Sequence, residues 1–212
     1  MRERLRFEGC IAGIGTSSGA RIVLGHWLRS PLGTFSDVML EQADGQRVLL
    51  APTPDAAEFV AGTYVFDEIL VVPVEVSVTD TVWTVDAGPL HLRFTTGRRG
   101  ALGLLLRAVP RPVAAHPLWV TAIGPPARLL RGVRTHGSAR PGRHEWYGAH
   151  DLRPITTATA TLDGEHLGGL AAVEPPVRFG FGSTPRRPSL VQVTTTVERE
   201  SATAETNAGD VN

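Results

Sequence analysis

The sequence contains no lysine, so all 21 of its basic residues are arginines. Chemistry that needs a side-chain amine is therefore excluded. The chain cannot form a Schiff base with a carbonyl compound, and it has no lysine for a phosphate-binding loop or for general base catalysis. These exclusions remove pyridoxal-phosphate enzymes, Schiff-base aldolases, P-loop NTPases and ordinary kinases from the functions to consider.

Cysteine and long apolar runs are also scarce. The single cysteine, Cys10, precludes an internal disulfide, and its apolar neighbours favour a buried, unreactive thiol. No stretch approaches the roughly 18 apolar residues of a membrane-spanning helix, and residues 1–8 lack the apolar segment of a signal peptide. We therefore expect a soluble, cytoplasmic protein whose length is sufficient for a core without a metal or a disulfide.

Acidic residues are missing from one long segment, residues 87–144, which carries ten arginines. The part before it has six arginines against twelve acids, and the part after it has five against nine, so the formal net charge is zero. Two interpretations are open. Acids elsewhere in the fold, such as Asp37, Glu41 or Glu75, neutralise these arginines, or the arginines form a positive surface that holds an anionic group. The neutral total and the lack of a recognition motif argue against nucleic acid.

Most of the chain has the pattern of short strands joined by tight turns. The strand patterns cover 4–14, 21–27, 37–42, 47–51, 69–78, 81–86, 90–95, 133–137, 143–152, 156–162 and 190–197. Asp44-Gly45 is a strong hairpin signal, and Pro73 predicts an edge or a bulge within an otherwise buried strand at 69–78. Consecutive hairpins predict a mainly β fold in which an antiparallel sheet closes as a barrel or a sandwich.

Helical signals interrupt this pattern twice. Residues 54–61 follow Thr53, which suits an N-cap, and carry acids in their early turns. Leucine-rich residues 98–109 begin a short helical insertion at about 98–132, which prolines break into pieces. We expect a single β-rich domain over residues 1–198 and a disordered C-terminal tail over residues 199–212.

One motif matches a catalytic pattern but is predicted to be a turn. Gly15-Thr16-Ser17-Ser18-Gly19 fits the G-x-S-x-G nucleophile elbow, which needs a strand before the serine and a helix after it. The residues that follow have the pattern of a strand instead. We therefore predict a hairpin turn at this position.

A second constellation contains three of the seven histidines between residues 136 and 151. If 139–141 is a hairpin loop, His136 faces His144 and Arg134 faces Trp146. A two-residue turn one step later would shift this pairing. Two facing histidines are half of a zinc site, but the spacing offers no third ligand, so we predict neither a metal nor another cofactor.

Three functional hypotheses follow. The first is a protein that binds a small, partly apolar anionic molecule in a pocket between the helical insertion and the 133–152 hairpin, through Arg93, Arg134, Arg143, Trp119, Trp146 and Tyr147. The second is a hydrolase or lyase that uses a histidine and a carboxylate as a general base pair, drawn from His136, His144, Glu145 and Asp151. The third is a module for protein interaction or for peripheral membrane contact through residues 98–132.

Several segments carry a resemblance to known proteins. They are Phe7-Glu8-Gly9, Val85-Asp86-Ala87-Gly88-Pro89-Leu90, Tyr147-Gly148-Ala149 and Pro176-Val177-Arg178-Phe179-Gly180-Phe181. These segments resemble a protein family of high-GC bacteria that has no assigned activity, so the resemblance implies no catalytic residues. In outline, a β-rich chain with inserted helices is also similar to acetoacetate-decarboxylase-like barrels. The reactive lysine of those decarboxylases has no counterpart here.

Overall fold

A computed structural model of the chain describes residues 2–109, 136–137, 143–180 and 184–200, with the backbone alone for 2–3, 136–137, 143–147 and 199–200. This part of the chain forms twelve strands and two helices. The strands are β1 (Arg2–Thr16), β2 (Arg21–Arg29), β3 (Phe35–Glu41), β4 (Arg47–Ala51), β5 (Glu68–Val71), β6 (Val74–Thr79), β7 (Val82–Ala87), β8 (Leu90–Thr96), β9 (His136–Gly137), β10 (Arg143–Leu162), β11 (Glu165–Ala171) and β12 (Ser189–Glu200). The helices are α1 (Pro54–Ala61) and α2 (Ala101–Ala108).

Four strands close a ring at the centre of the sheet. Strand β1 pairs with β11 and β12, and β10 pairs with the same two strands. The β1–β12 ladder runs without a register shift from Arg2 opposite Glu200 to Gly13 opposite Ser189. The predicted fold, a mainly antiparallel β sheet that closes on itself, is confirmed.

Two arms extend from this ring. The first arm continues from β1 through β2, β3, β4 and β5, and the second continues from β10 through β8, β7 and β6. Neighbouring strands in both arms are antiparallel, except that β4 and β5 are parallel. The hairpin predicted at Asp44-Gly45 joins β3 to β4, with Glu41 paired to Arg47.

Within the first arm, β3, most of β4 and the first part of β2 are buried on both faces. Alternate side chains point to opposite sides of a strand. One face of β2 and β3 packs towards the second arm and consists of Ile22, Leu24, Val38 and Leu40. These side chains belong to the same core cluster as Val85, Leu92 and Phe94 of the second arm. The other face, which includes Val23 and Met39, packs against α1 and the segment 173–179. Burial on both faces explains why these strands contain apolar runs and little alternation with polar residues.

Helix α1 has the predicted bounds and the predicted cap. The Thr53 hydroxyl accepts a hydrogen bond from the Ala56 backbone N–H at 3.2 Å, and Asp55 lies in the first turn. An oxygen acceptor at this position satisfies one of the free N–H groups of the first turn, and the carboxylate favours the positive end of the helix dipole. The helix covers the first arm with Ala57 and Val60.

The prediction of one buried strand at 69–78 is wrong. The run is divided at Pro73 into β5 and β6, which lie at the outer ends of the two different arms. Edge strands have one flank open to solvent, and Ile69, Val71 and Val78 are 46%, 50% and 48% exposed. The proline breaks the run because it has no N–H to donate to a ladder.

The pairing predicted for the second histidine constellation is also wrong. Strand β9 places His136 opposite Trp146 and Gly137 opposite Glu145, so the register differs by two residues from the predicted one. On its other side, the backbone of His144 pairs with Glu198 of β12. The predicted strands 143–152 and 156–162 are parts of the single strand β10, which has register shifts along its length.

Helix α2 confirms the start of the predicted insertion, and residues 110–135 lie outside the described part of the chain. The helix packs closely on β10 at Gly103, where a Cβ atom would overlap the carbonyl oxygen of Leu152. Its Leu104 and Leu105 side chains are 60% and 64% exposed. Of the helices described, neither has the length or the apolar content to cross a bilayer.

Candidate functional site

Most of the site residues predicted from the sequence are not among the described side chains. Trp119 and Arg134 lie outside the described residues, and the backbone alone is described for His136, Arg143, His144, Glu145, Trp146 and Tyr147. Their assignments therefore stay predictions. Arg93 is exposed on β8, between Thr84 and Thr159 of the neighbouring strands.

Asp151, a predicted catalytic partner, is engaged by an arginine. The Nε atom of Arg99 donates to the two carboxylate oxygens at 2.9 and 2.8 Å, and Arg153 Nε lies 3.9 Å away. The Asp151 side chain is 5% exposed. One arginine of the acid-free segment is thus neutralised by a buried acid from later in the chain, as the first interpretation of that segment predicts.

Glu41, which we considered as another neutralising acid, serves different arginines. Arg21 Nη2 and Arg178 Nε each lie 2.7 Å from its Oε1, and the Arg178 backbone N–H donates to Oε2 at 2.7 Å. Burial alone would raise the pKa of Glu41, but the hydrogen bonds from Arg178 and Arg21 outweigh it and lower the pKa. The ion pair and hydrogen bonds between Arg178 and Glu41 link the segment around residue 178 to β3 of the first arm.

The larger cavity that we describe lies between the two arms and has a volume of about 310 Å³. We call it the inter-arm cleft. It opens to solvent, and its lining includes His26, Thr34, Ser36, Thr53, Val74 and Val76. His26, Thr34 and Ser36 come from β2, β3 and the loop between them, and Thr53 comes from the loop between β4 and α1. The two valines come from β6 of the second arm.

A histidine and a serine form the polar part of this cleft. His26 and Ser36 are directly opposite each other on β2 and β3, and His26 Nδ1 lies 2.8 Å from Ser36 Oγ in a hydrogen bond. The imidazole packs edge-on to Trp83, with ring centroids 5.7 Å apart. Burial lowers the pKa of His26 below its usual value, so the ring is neutral at neutral pH. A neutral imidazole offers one donor and one acceptor.

The smaller cavity lies on the opposite face of the same two strands and has a volume of about 50 Å³. We call it the aromatic pocket, and its lining includes Phe7, Trp27, Phe35, Asp37, Phe59 and Thr195. The strand alternation explains the division, because His26 and Ser36 point to one face and Trp27 and Asp37 to the other.

Asp37 is 3% exposed, and its Oδ1 accepts a hydrogen bond from Trp27 Nε1 at 3.0 Å. Burial raises the pKa of this carboxyl to about 7, although the hydrogen bond from Trp27 acts in the opposite direction. Gly25 faces Asp37 across the ladder, and a Cβ atom at Gly25 would lie 2.5 Å from Asp37 Oδ1. The glycine therefore leaves room for the Trp27–Asp37 hydrogen bond.

Comparisons with known proteins identify related folds only. No protein-family model matches the chain, and no curated protein matches it. An acetoacetate decarboxylase from Legionella pneumophila subsp. pneumophila str. Philadelphia 1 has 10% identity and a TM-score of 0.43, over 94% of this chain and 88% of that one. A second acetoacetate decarboxylase structure has 10% identity and a TM-score of 0.42, with the same coverage.

A candidate AttH protein from Nitrosomonas europaea has 12% identity and a TM-score of 0.33, over 96% of this chain and 54% of that one. The outline similarity to acetoacetate-decarboxylase-like proteins is thus confirmed at low sequence identity. Likeness at this level says nothing about activity, and the chain has no lysine for Schiff-base chemistry.

Proposed function

We propose that the protein binds a small, partly apolar molecule in the inter-arm cleft. The observation that carries this proposal is an open, concave space of about 310 Å³ with apolar walls and one hydrogen-bonded His26–Ser36 pair. Ligand sites in proteins are concave, mostly apolar and about 300–1,000 Å³ in volume, with a few polar groups that set orientation. The cleft is at the small end of this range, so the ligand has few heavy atoms.

The lining of the cleft favours an uncharged polar group on the ligand. Among the described residues of its lining, the polar side chains are hydroxyls and a neutral imidazole, with no arginine and no carboxylate. A charged ligand group would lose hydration there without gaining an opposite charge. A hydroxyl or a carbonyl group, in contrast, would hydrogen-bond to His26 or Ser36.

The anionic ligand predicted from the arginine-rich segment is a separate proposal. An anion would need guanidinium groups, and the candidates are Arg93, Arg134 and Arg143, with Trp119, Trp146 and Tyr147 as walls. The Arg99–Asp151 pair shows that at least one arginine of the segment is already neutralised. A bound molecule that is lost when Arg134 and Arg143 are replaced, but is retained when the cleft is filled, would support the anion site.

Native mass spectrometry of protein purified from its own host tests the cleft. In a Val76→Phe variant, a larger side chain from β6 enters the cleft, whereas Val78→Phe places the same change on the same face of β6, outside the lining. We expect a co-purifying molecule on the unsubstituted protein and on Val78→Phe, and its loss from Val76→Phe. Equal retention by both variants would contradict the cleft as the binding site.

The hydrolase or lyase hypothesis has less support. Of its candidate residues, Asp151 is engaged by Arg99 and Arg153. The side chains of His136, His144 and Glu145 are not among those described, so their part of the hypothesis stays a prediction. The His26–Ser36 distance suits a base and a nucleophile, but a nucleophilic serine also needs a group that orients the base. Among the described residues, no carboxylate hydrogen-bonds to His26. A serine-directed fluorophosphonate should therefore leave Ser36 unlabelled, and stoichiometric labelling would restore this hypothesis.

A further inference from the structure

We propose that the aromatic pocket is a second binding site, which takes a small alkylammonium cation with Asp37 as its counter-charge. This site is distinct from the inter-arm cleft, because it lies on the other face of β2 and β3. The proposal is therefore independent of the function proposed for the cleft. It depends on the polar groups, the walls and the size of the pocket.

Two buried polar side chains in the pocket have unused hydrogen-bonding capacity. Among the described residues, the Trp27 indole is the one hydrogen-bond partner of Asp37, and no arginine or histidine contacts the carboxyl. The Thr195 hydroxyl is buried, and no hydrogen-bond partner for it is found within the described parts of the chain. Buried polar groups are nearly always hydrogen-bonded, so such a pair in an apolar wall indicates a missing partner. An ammonium group has three N–H donors, enough for both oxygens.

The walls of the pocket are aromatic rings, which attract cations. Phe7 is at the centre of the cluster: its ring centroid lies 5.7 Å from Trp27, 4.8 Å from Phe59 and 6.5 Å from Phe35. The negative face of an aromatic ring stabilises a nearby cation, most strongly where water is excluded. Aromatic rings beside a carboxylate therefore fit an organic cation better than they fit an anion or a neutral polar molecule.

The volume restricts the ligand to a few heavy atoms. A cavity needs roughly 10–15 Å³ to hold a water molecule. The pocket has about 50 Å³. This space suits the methylammonium end of a primary amine.

The pocket also predicts the pH dependence of binding. In the part of the lining that the structure describes, Tyr64 is the one other ionisable side chain, and no arginine or histidine there competes for the carboxylate. The pKa of Asp37 is raised to about 7 by burial without a counter-charge. A cation binds the ionised carboxylate, so its affinity should be higher at pH 8 than at pH 6. With a pKa near 7, about a tenth of the carboxyl is ionised at pH 6, which predicts roughly tenfold weaker binding there.

Titration with methylammonium chloride tests the proposal. Tryptophan fluorescence is recorded at pH 8 and at constant ionic strength, and a Trp27→Phe variant assigns the signal to the indole beside Asp37. Methanol is the neutral control of matched size. We expect a saturable response to methylammonium, none to methanol, and at least tenfold weaker binding in Asp37→Asn.

Thr195→Val and Thr196→Val form a matched pair, because they make the same change on neighbouring residues that point to opposite faces of β12. We expect weaker binding in Thr195→Val alone. If circular dichroism shows that Asp37→Asn does not fold, the proposal is tested by the two threonine variants and by the comparison of methylammonium binding at pH 6 and pH 8. Three outcomes overturn the proposal. The first is no saturable response to methylammonium, and the second is an equal response to methanol. The third is unchanged methylammonium binding in a folded Asp37→Asn variant or, if that variant does not fold, in Thr195→Val.

Discussion

Replacement of Asp37 by asparagine should change how the stability of the protein depends on pH. The pKa of the Asp37 carboxyl is about 7 in the folded protein, against 3.8 for an ordinary aspartate. Between these two values the folded state holds a proton that the unfolded chain releases. Stability from this group is therefore complete below about pH 4 and is lost as the pH rises through 7. Asparagine has a similar size, can still accept the Trp27 hydrogen bond and does not titrate.

The size of the effect follows from the shift. One pKa unit corresponds to about 1.4 kcal/mol, so the shift from 3.8 to about 7 gives roughly 4 kcal/mol over the whole window. Between pH 5 and pH 8 the loss is roughly 2.5 kcal/mol, because part of the change takes place below pH 5. The free energy of unfolding of the unsubstituted protein should therefore fall by this amount relative to Asp37→Asn.

Urea denaturation followed by circular dichroism at pH 5, 6, 7 and 8 measures this difference. The buffers must contain no amines, because a bound cation would stabilise the ionised carboxylate and hide the effect. A Glu75→Gln variant, which removes an exposed carboxyl on β6, controls for the change in net charge. The reasoning is refuted if the difference between the unsubstituted protein and Asp37→Asn is constant with pH, or if it grows in the opposite direction.

Three further substitutions or reactions test other parts of the fold. Gly103→Ala should destabilise the protein by about 1–3 kcal/mol in urea denaturation, because the new methyl group meets the Leu152 carbonyl; an unchanged midpoint would show that α2 can shift freely. Glu41→Gln should lower the free energy of unfolding by about 3 kcal/mol or more, because it leaves the buried charge of Arg21 unpaired. The control Glu174→Gln changes an exposed ion pair and should lower it by less than about 1 kcal/mol. Burial raises the pKa of Cys10 to about 12, so Ellman's reagent should react with it only after unfolding; rapid labelling of the folded protein would contradict its burial.

Local signals in the sequence were sufficient for the local structure. The cap at Thr53 and the turn at Asp44-Gly45 each depend on a few adjacent residues, and both were predicted correctly. The G-x-S-x-G segment is also the predicted turn, since Gly19 has a positive φ of 91° and Ser17 is exposed between β1 and β2. Propensities and caps act over one or two turns of chain, so the sequence expresses them directly.

Long-range pairing was not predictable in the same way. The ring closes because β1 pairs with β12 from the far end of the chain, and no periodicity in either strand identifies its partner. Strand β11 was not predicted, because Gly168 and Gly169 weaken its pattern. It forms where its neighbours β10 and β1 supply hydrogen-bonding edges. Which strands pair with each other therefore becomes known only from the three-dimensional structure.

Asp37 shows why the aromatic pocket was missed. In the sequence it is an acid within the run Phe35-Ser36-Asp37-Val38-Met39, and we considered it as a partner for distant arginines. In the structure its partner is Trp27, ten residues earlier on the neighbouring strand. The available signal was the alternation itself, which places the acid on the same face as Phe35 and Met39.

The register of β2 against β3 determines both cavities at once. His26 faces Ser36, and the adjacent Gly25 faces Asp37, so each cavity takes side chains from the same short ladder. A slip of one residue would move every side chain of one strand to the opposite face, which would separate His26 from Ser36 and bring a larger side chain against Asp37. A Cβ atom opposite Asp37 would lie 2.5 Å from its Oδ1, so a larger residue at this position would displace the side chains of the Trp27–Asp37 hydrogen bond. Gly25 therefore helps to fix the geometry of the cleft as well as that of the pocket, although it contacts only the pocket.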